Sequence, residues 1–274
     1  MTDTAKLKGE NTNMLRSMYS GISGLKNFQT KLDVIGNNIS NVNTYGFKKG
    51  RVTFKDTMNQ TVSGASAATA DKGGTNAIQV GLGSSLASID NIDTQGSAQT
   101  TNRTLDFSIE GDGYFVVKNG TESFYTRAGN FYLDNEGVLV TSDGFKVQGT
   151  DGDITITGVS SFSIGQGGKI TGVDANGGTV DLGTISVAKF NNPAGLMKAG
   201  NNTFQESVNS GIPDIGVADT DGRGTLTSGR LEMSNVDLSE EFTEMIVAQR
   251  GFQANTRIIT TSDEILQELV NLKR

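Results

Sequence analysis

The chain has 274 residues and contains no Cys, His or Trp, which excludes disulfides, thiol nucleophiles, imidazole bases and His or Cys metal sites. Its formal net charge of −7 argues against nucleic acid as a partner. With 36 Gly and only 2 Pro, it is rich in turns without being a Pro-rich linker.

The start, "MTDTAKLKGENTN", is polar throughout, has no signal-peptide pattern and is expected to be disordered. No stretch approaches the roughly 18 apolar residues of a membrane span. From Met14 a helical rhythm begins. Met18, Leu25, Leu32 and Ile39 are seven apart, and Phe28, Ile35 and Val42 follow three after the last three of them. The pattern predicts a helix over about 15–42, roughly 40 Å long. Asn37, Asn38, Asn41 and Asn43 interrupt it, as do Gly21 and Gly36, and these are poor residues for a helix interior. Asn41 and Asn43 either cap and end the helix or bond to neighbouring groups in a packed wall.

Residues 60–85, "QTVSGASAATADKGGTNAIQVGLGSS", are small and polar and read as an extended or flexible connector. The period then changes. "GYFVVKNGTESFYTR" holds two strand-like runs around Asn119-Gly120, a strong hairpin signal. Further turns are expected at Asp134–Gly137 and Ser142–Gly144, and further strands in "SFSIG" and "TISVAKF". Turns about every ten residues describe a compact antiparallel β domain. The chain closes on a stricter heptad stripe: Leu238, Met245, Phe252, Ile259 and Leu266, widened by Phe242, Ala248, Leu269 and Val270. Asp237 and Glu240 have capping-box spacing, so a second helix is predicted over about 237–272, roughly 50 Å long. The fold class is therefore α+β. The two terminal helices pair as a coiled-coil-like domain around a central antiparallel β domain. The expected divisions are 1–13 disordered, 14–45 with 235–274 helical, 46–85 connector and 86–234 β.

Charge supports the pairing. Residues 1–55 hold nine Lys/Arg against three Asp/Glu, whereas 237–274 hold four against seven, so the ends can attract one another or stay as a solvated pattern. Motifs for chemistry fail on inspection. "GQGGKI" lacks the first Gly of a phosphate loop, with Ser163 in its place, and its Ser/Thr, with Ile170 there, so it reads as a β-turn. "DTDGRG" begins like a calcium loop, but Arg223 and Arg230 stand where oxygen ligands belong. Glu240, Glu241 and Glu244 suit the first turns of a helix rather than acid–base work. A secreted enzyme or carbohydrate-binding module would need a site, and none can be assembled. No cofactor, metal or small-molecule substrate is expected.

"LDVIGNNISNVNTYGFKKGRVTFKD" resembles the N-terminal signature of the bacterial flagellar rod and hook family, through Leu32, Asn37, Asn38, Asn41, Thr44, Gly46, Phe47 and Lys48. "SNVDLSEEFTEMIVAQRGFQANTRIITTSDEILQELVNLKR" resembles its C-terminal helix, and "LDFSIEGDGYFVV" and "YTRAGNFYLDNEGVLVTSDGF" its β core. The resemblance implies a non-enzymatic axial subunit. It would leave the cell through the flagellar type III export apparatus without cleavage of a leader and polymerise helically with copies of itself. It further implies a hook subunit, a flexible joint between rod and filament, with the distal rod protein as the alternative. Expected partners on the hook reading are the distal rod protein, the hook cap protein and the hook–filament junction protein. Subunit contacts are expected along Met18, Leu25, Phe28, Leu32, Ile35, Ile39 and Val42. On the second helix they are expected along Leu238, Phe242, Met245, Phe252, Ile259, Leu266 and Leu269.

Overall fold

The computed structural model describes residues 2–69, 72–174 and 177–272. Two helices enclose a run of antiparallel strands in chain order, the expected α+β fold. Helix α1 spans Thr2–Ser40 and helix α2 spans Leu238–Leu272. The chain forms two compact units. The first comprises Met1–Asn38, Gly50–Asp90 and Leu238–Arg274, and the second Ile39–Lys49 and Asn91–Asp237.

Three divisions differ from expectation. The stretch 1–13 is helical from Thr2, because Ala5, Lys6, Leu7, Lys8 and Glu10 are residue types of good helix propensity. The connector is not featureless. Gly50–Asp56 pairs with Ser84–Asn91, and Asn59–Ser63 pairs antiparallel with Ile78–Gly81, with Gln60 opposite Val80. Ladder hydrogen bonds are made by the backbone, so small polar residues that hide the strand pattern do not prevent pairing. Finally, residues 46–49 belong to the second unit and 50–90 to the first, so the connector divides at Gly50.

In the second unit the expected hairpin forms. Tyr114–Asn119 pairs with Glu122–Thr126, Asn119 faces Glu122, and Gly120 takes φ +62°, a left-handed setting that glycine adopts without strain. The other two turns close at Asp134 O to Gly137 N, 2.8 Å, and Thr141 O to Gly144 N, 3.0 Å. A ten-stranded antiparallel sheet runs from Met197–Gly200 at one edge through this hairpin to Tyr132–Leu133 at the other. "YFVV" is buried on both faces. Phe115 and Val117 join Phe107, Ile109, Phe131, Leu139 and Ile185 on one side. Tyr114 and Val116 join Tyr125, Phe190, Leu196 and Phe204 on the other, with Tyr114 edge-on to both Phe190 and Phe204. A separate three-stranded sheet holds Val159–Ile164, Lys169–Asp174 and Thr179–Thr184. "GQGG" is the turn between its first two strands, as Gly168 N donates to Gly165 O at 2.9 Å.

Candidate assembly surface and the motif segment

The heptad stripes of α1 and α2 meet in the first unit, but through a narrower and more polar seam than the apolar pattern implies. On α1, Ile35 is buried, while Met18, Leu25, Phe28 and Leu32 are half-buried. On α2, Met245, Ile259 and Leu266 are half-buried. Phe252 at 36% and Phe242 at 50% are more exposed, as is Leu238. The residues most buried on α2 are Glu241, Ala248 and Ser262, which lie in the same heptad row as Asn255. Small residues explain the offset. A Cβ on Gly251 would lie 2.5 Å from the Phe28 ring, one on Gly24 2.9 Å from the Asn255 amide, and one on Gly21 3.4 Å from Ile259. Phe28 thus fills the space above Gly251, and the helix backbones approach closely. The heptad spacing of Ala248, Asn255 and Ser262 was the available signal, but a search for apolar stripes passes over it. Leu269 lies outside the described side chains. Ile39 and Val42 are half-buried in the second unit.

Two asparagines of the motif, Asn38 and Asn41, have structural roles. Asn38 is buried, and its amide makes a reciprocal pair with Gly50: Gly50 N donates to Oδ1 at 2.9 Å, and Nδ2 donates to Gly50 O at 2.9 Å. Nδ2 also reaches Glu241 Oε2 at 3.2 Å. The amide therefore stands in for a strand partner at the start of Gly50–Asp56 and ties α1 to α2. Asn27 likewise donates to Ser84 Oγ at 2.8 Å. Asn37 lies exposed on α1. Lys31 pairs with Glu244, so opposite charge does join the two ends. Asn38→Asp keeps the acceptor for Gly50 N but loses both donated bonds and sets a carboxylate beside buried Glu241. Chemical denaturation should register a loss of about 2 kcal/mol, largely recovered by adding Glu241→Gln.

Beyond α1 the motif turns inward within the second unit. Thr44 N bonds Asn41 O at 3.1 Å and Thr44 Oγ1 bonds Asn41 Oδ1 at 3.1 Å, so Asn41 closes the helix in a side-chain-stabilised turn. Gly46 has φ +66°, and a Cβ there would meet the Arg127 carbonyl carbon at 2.6 Å, so no other residue fits. Its N–H donates to Glu232 O at 2.8 Å. Phe47 is buried with the Lys198 ammonium 4.7 Å from its ring centroid.

Lys48 sits at the centre of a buried ion network. Lys48, Glu232 and Arg127 have side chains only 2%, 1% and 2% exposed. Lys48 Nζ donates to Glu232 Oε1 at 2.7 Å and to Thr94 O at 2.8 Å. Arg127 Nη1 donates to Glu232 Oε2 at 3.2 Å and Nη2 to Gly111 O at 2.9 Å. Gly96 N adds a third bond to Glu232, at 3.0 Å. Asp93 brings the charges into balance, with Oδ1 3.8 Å from Lys48 Nζ. Burial, and next the nearby Arg127 cation, push the Lys48 ammonium below the usual lysine range, while Glu232 opposes them. Burial and then Asp93 hold the Tyr114 phenol above the usual tyrosine range. Local pattern does not single out Arg127 or Glu232, whose only trace is a charged residue within "YTRAG" and two within "GRLEM".

The calcium-like loop holds a cation of its own. Arg223 is buried, pairs with Asp214 at 2.9 Å and Asp221 at 2.8 Å, and donates to Val217 O at 3.0 Å. The guanidinium thus takes the centre that a metal would need. Among the described residues no group of His, Cys, Asp or Glu could hold a metal ion, and no helix is long and apolar enough to cross a membrane.

Comparison with known proteins agrees with this arrangement of ends and core. A family model described as flagella basal body rod protein matches residues 18–48. One for the flagellar hook protein FlgE/F/G D1 domain matches 108–172, and one for the flagellar basal body rod FlgEFG protein C-terminal matches 227–272. The flagellar basal-body rod protein FlgG of Bacillus subtilis is 62% identical over 264 residues, covering 95% of this chain and 100% of that protein. FlgG of Borreliella burgdorferi is 40% identical over 272 residues, again covering 95% and 100%. The flagellar hook protein FlgE of Borreliella burgdorferi is 32% identical over 441 aligned positions, with the same coverage. The chain therefore belongs to the flagellar rod and hook family, as a structural part of the bacterial flagellum and not an enzyme.

Proposed function

We infer that this chain is a subunit of the distal rod of the flagellar basal body, and that it assembles into a helical tube with copies of itself. The observation that carries the rod reading is the alignment length. The Bacillus subtilis rod protein matches over 264 positions at 62% identity, whereas the Borreliella burgdorferi hook protein needs 441 positions and reaches 32%. A hook subunit of that kind carries a large insertion for which this chain has no counterpart. The hook reading expected from the sequence therefore yields to its alternative. The distal rod protein named among the expected partners becomes the chain itself. The hook cap and hook–filament junction proteins, which belong with a hook subunit, drop out. Export through the type III apparatus remains part of the proposal.

Self-assembly is supported by what the α1–α2 seam leaves uncovered. A second row of α2, Val247, Ala254, Ile258, Thr261 and Ile265, follows the helical period and is exposed along its length. A row of this kind is a docking face for another helix rather than a solvated surface. The test is exchange of genes. In Bacillus subtilis lacking its own FlgG, this chain should restore swimming, and in a strain lacking the hook subunit it should not. Rescue of the hook strain alone would overturn the rod reading.

A further inference from the structure

We propose that the second unit of each copy docks, by a groove at one edge of its ten-stranded sheet, onto the opposite edge of the same sheet in the next copy. This rests on the self-assembly reading and names surfaces that carry it. Beside the Met197–Gly200 edge, a groove of about 810 Å³ is lined by Met197, Val208 and Ile212, with Glu206 on its wall. Val208 is 106% and Ile212 89% exposed, and Met197 is exposed with them. A slack loop does not explain this. Ser210 is fully buried, and its Oγ accepts from Ser207 N at 2.9 Å and donates to Ser207 O at 2.8 Å. Ser207 Oγ donates to Gly195 O at 2.6 Å, and Asn192 Nδ2 donates to Asn209 O at 3.2 Å. The turn is therefore tied to the segment 192–195 and holds its apolar side chains out in fixed positions. A single exposed apolar residue needs no explanation, but three around one groove on a fixed turn describe a preorganised docking surface.

The occupant is a second copy of this chain. A contact that propagates along a tube joins two different surfaces of identical subunits, because a self-complementary patch closes a dimer and stops. The other edge of the sheet, Tyr132–Leu133, supplies the second surface, with both side chains exposed. It too is held in place. Arg103 lies over the Tyr132 ring at 4.6 Å from the centroid, and its Nη2 donates to Phe131 O at 2.8 Å. Arg103 pairs with Asp106 through Nη1 and remains partly exposed, so its outer N–H groups are placed to meet the exposed Glu206 carboxylate of the next copy. Sheet edges are ordinarily blunted by charge or covered, whereas both edges here carry large apolar side chains. Five such side chains bury on the order of a few hundred Å², short of the ~1,000 Å² that a free-standing interface needs. The contact therefore leaves the free subunit monomeric and adds its share only within the polymer, where other contacts hold the copies side by side.

The test is disulfide cross-linking, which the absence of any Cys makes clean. The full chain with Val208→Cys and Tyr132→Cys replaces FlgG in Bacillus subtilis, and purified hook–basal bodies are oxidised and run on a non-reducing gel. A ladder of dimers, trimers and higher multimers that collapses on reduction is expected, since the docked Cα atoms fall within disulfide reach. Each single-Cys variant should stay monomeric on the gel, because unlike surfaces meet. Should the first pair not fold, Ile212→Cys with Leu133→Cys should give the same ladder. Val208→Cys with Asp181→Cys, the latter in the three-stranded sheet, should give none. Incorporation without a ladder overturns the contact, as does an equal ladder from the Asp181 pair. Dimers from Val208→Cys alone overturn it too, since they mean that like meets like. Absence of the folded chain from the basal bodies would sink the assembly reading itself and the contact with it.

Discussion

Glu232→Ala should lower the stability of the β unit by about 3–5 kcal/mol, the usual consequence of removing one partner from a buried ion pair. Two cations, Lys48 and Arg127, would be left in the interior facing only Asp93, and Gly96 N would lose its acceptor. In calorimetry the transition of this unit should fall by roughly 10 °C. The network is not there because charges stabilise better than packing. Replacing the set together, with Lys48→Met, Arg127→Met, Glu232→Leu and Asp93→Asn, should leave stability near or above that of the unaltered chain. What this variant should lose is the fixed course of 45–49 and 230–235. A Glu232→Ala protein within about 1 kcal/mol of the unaltered one would show that the charges are better hydrated than their burial implies.

Gly251→Val should abolish assembly into the flagellar axial structure, and with it swimming, while leaving the β unit folded. The new Cβ would fall 2.5 Å from the Phe28 ring, so the ring must be displaced from the seam before the valine fits. Overpacking of this kind costs typically 1–3 kcal/mol or more. The helices have little reserve, because Asn and Gly lower the propensity of α1 and helices within proteins gain most of their stability from packing. Once parted, α1 and α2 should lose far-UV ellipticity and become open to trypsin at Lys26, Lys31, Arg250 and Arg257. Adding Phe28→Ala to Gly251→Val should return both helicity and swimming, since the volume removed is larger than that added. Swimming cells carrying Gly251→Val alone would mean that the helices do not pack through this point.

These two variants also divide what was legible in the sequence from what was not. The helices, the Asn119-Gly120 hairpin and the turns at Gly137 and Gly144 depend on residues a few positions apart, so period and turn chemistry reveal them. The α1–α2 seam was half legible. Its apolar heptads were visible, but the Gly251, Ala248 and Asn255 positions that set the closeness of approach are small or polar. The ion network was illegible. Lys48 and Glu232 are 184 residues apart and Arg127 and Glu232 are 105 apart, and nothing in local patterning pairs them. The paired strands Asn59–Ser63 and Ile78–Gly81 were hidden for a different reason, since their ladder uses backbone groups that every residue carries. The asparagines of the motif looked like helix weaknesses. Asn38 is instead a fixed bond donor and acceptor to Gly50, a role apolar periodicity cannot express.

The rod reading is tested most directly by immunogold labelling of purified hook–basal bodies from cells whose only copy of this subunit carries an epitope in the exposed turn at Gly120–Thr121. Gold confined to the straight rod segment below the hook is the predicted result, and gold along the curved hook would contradict it.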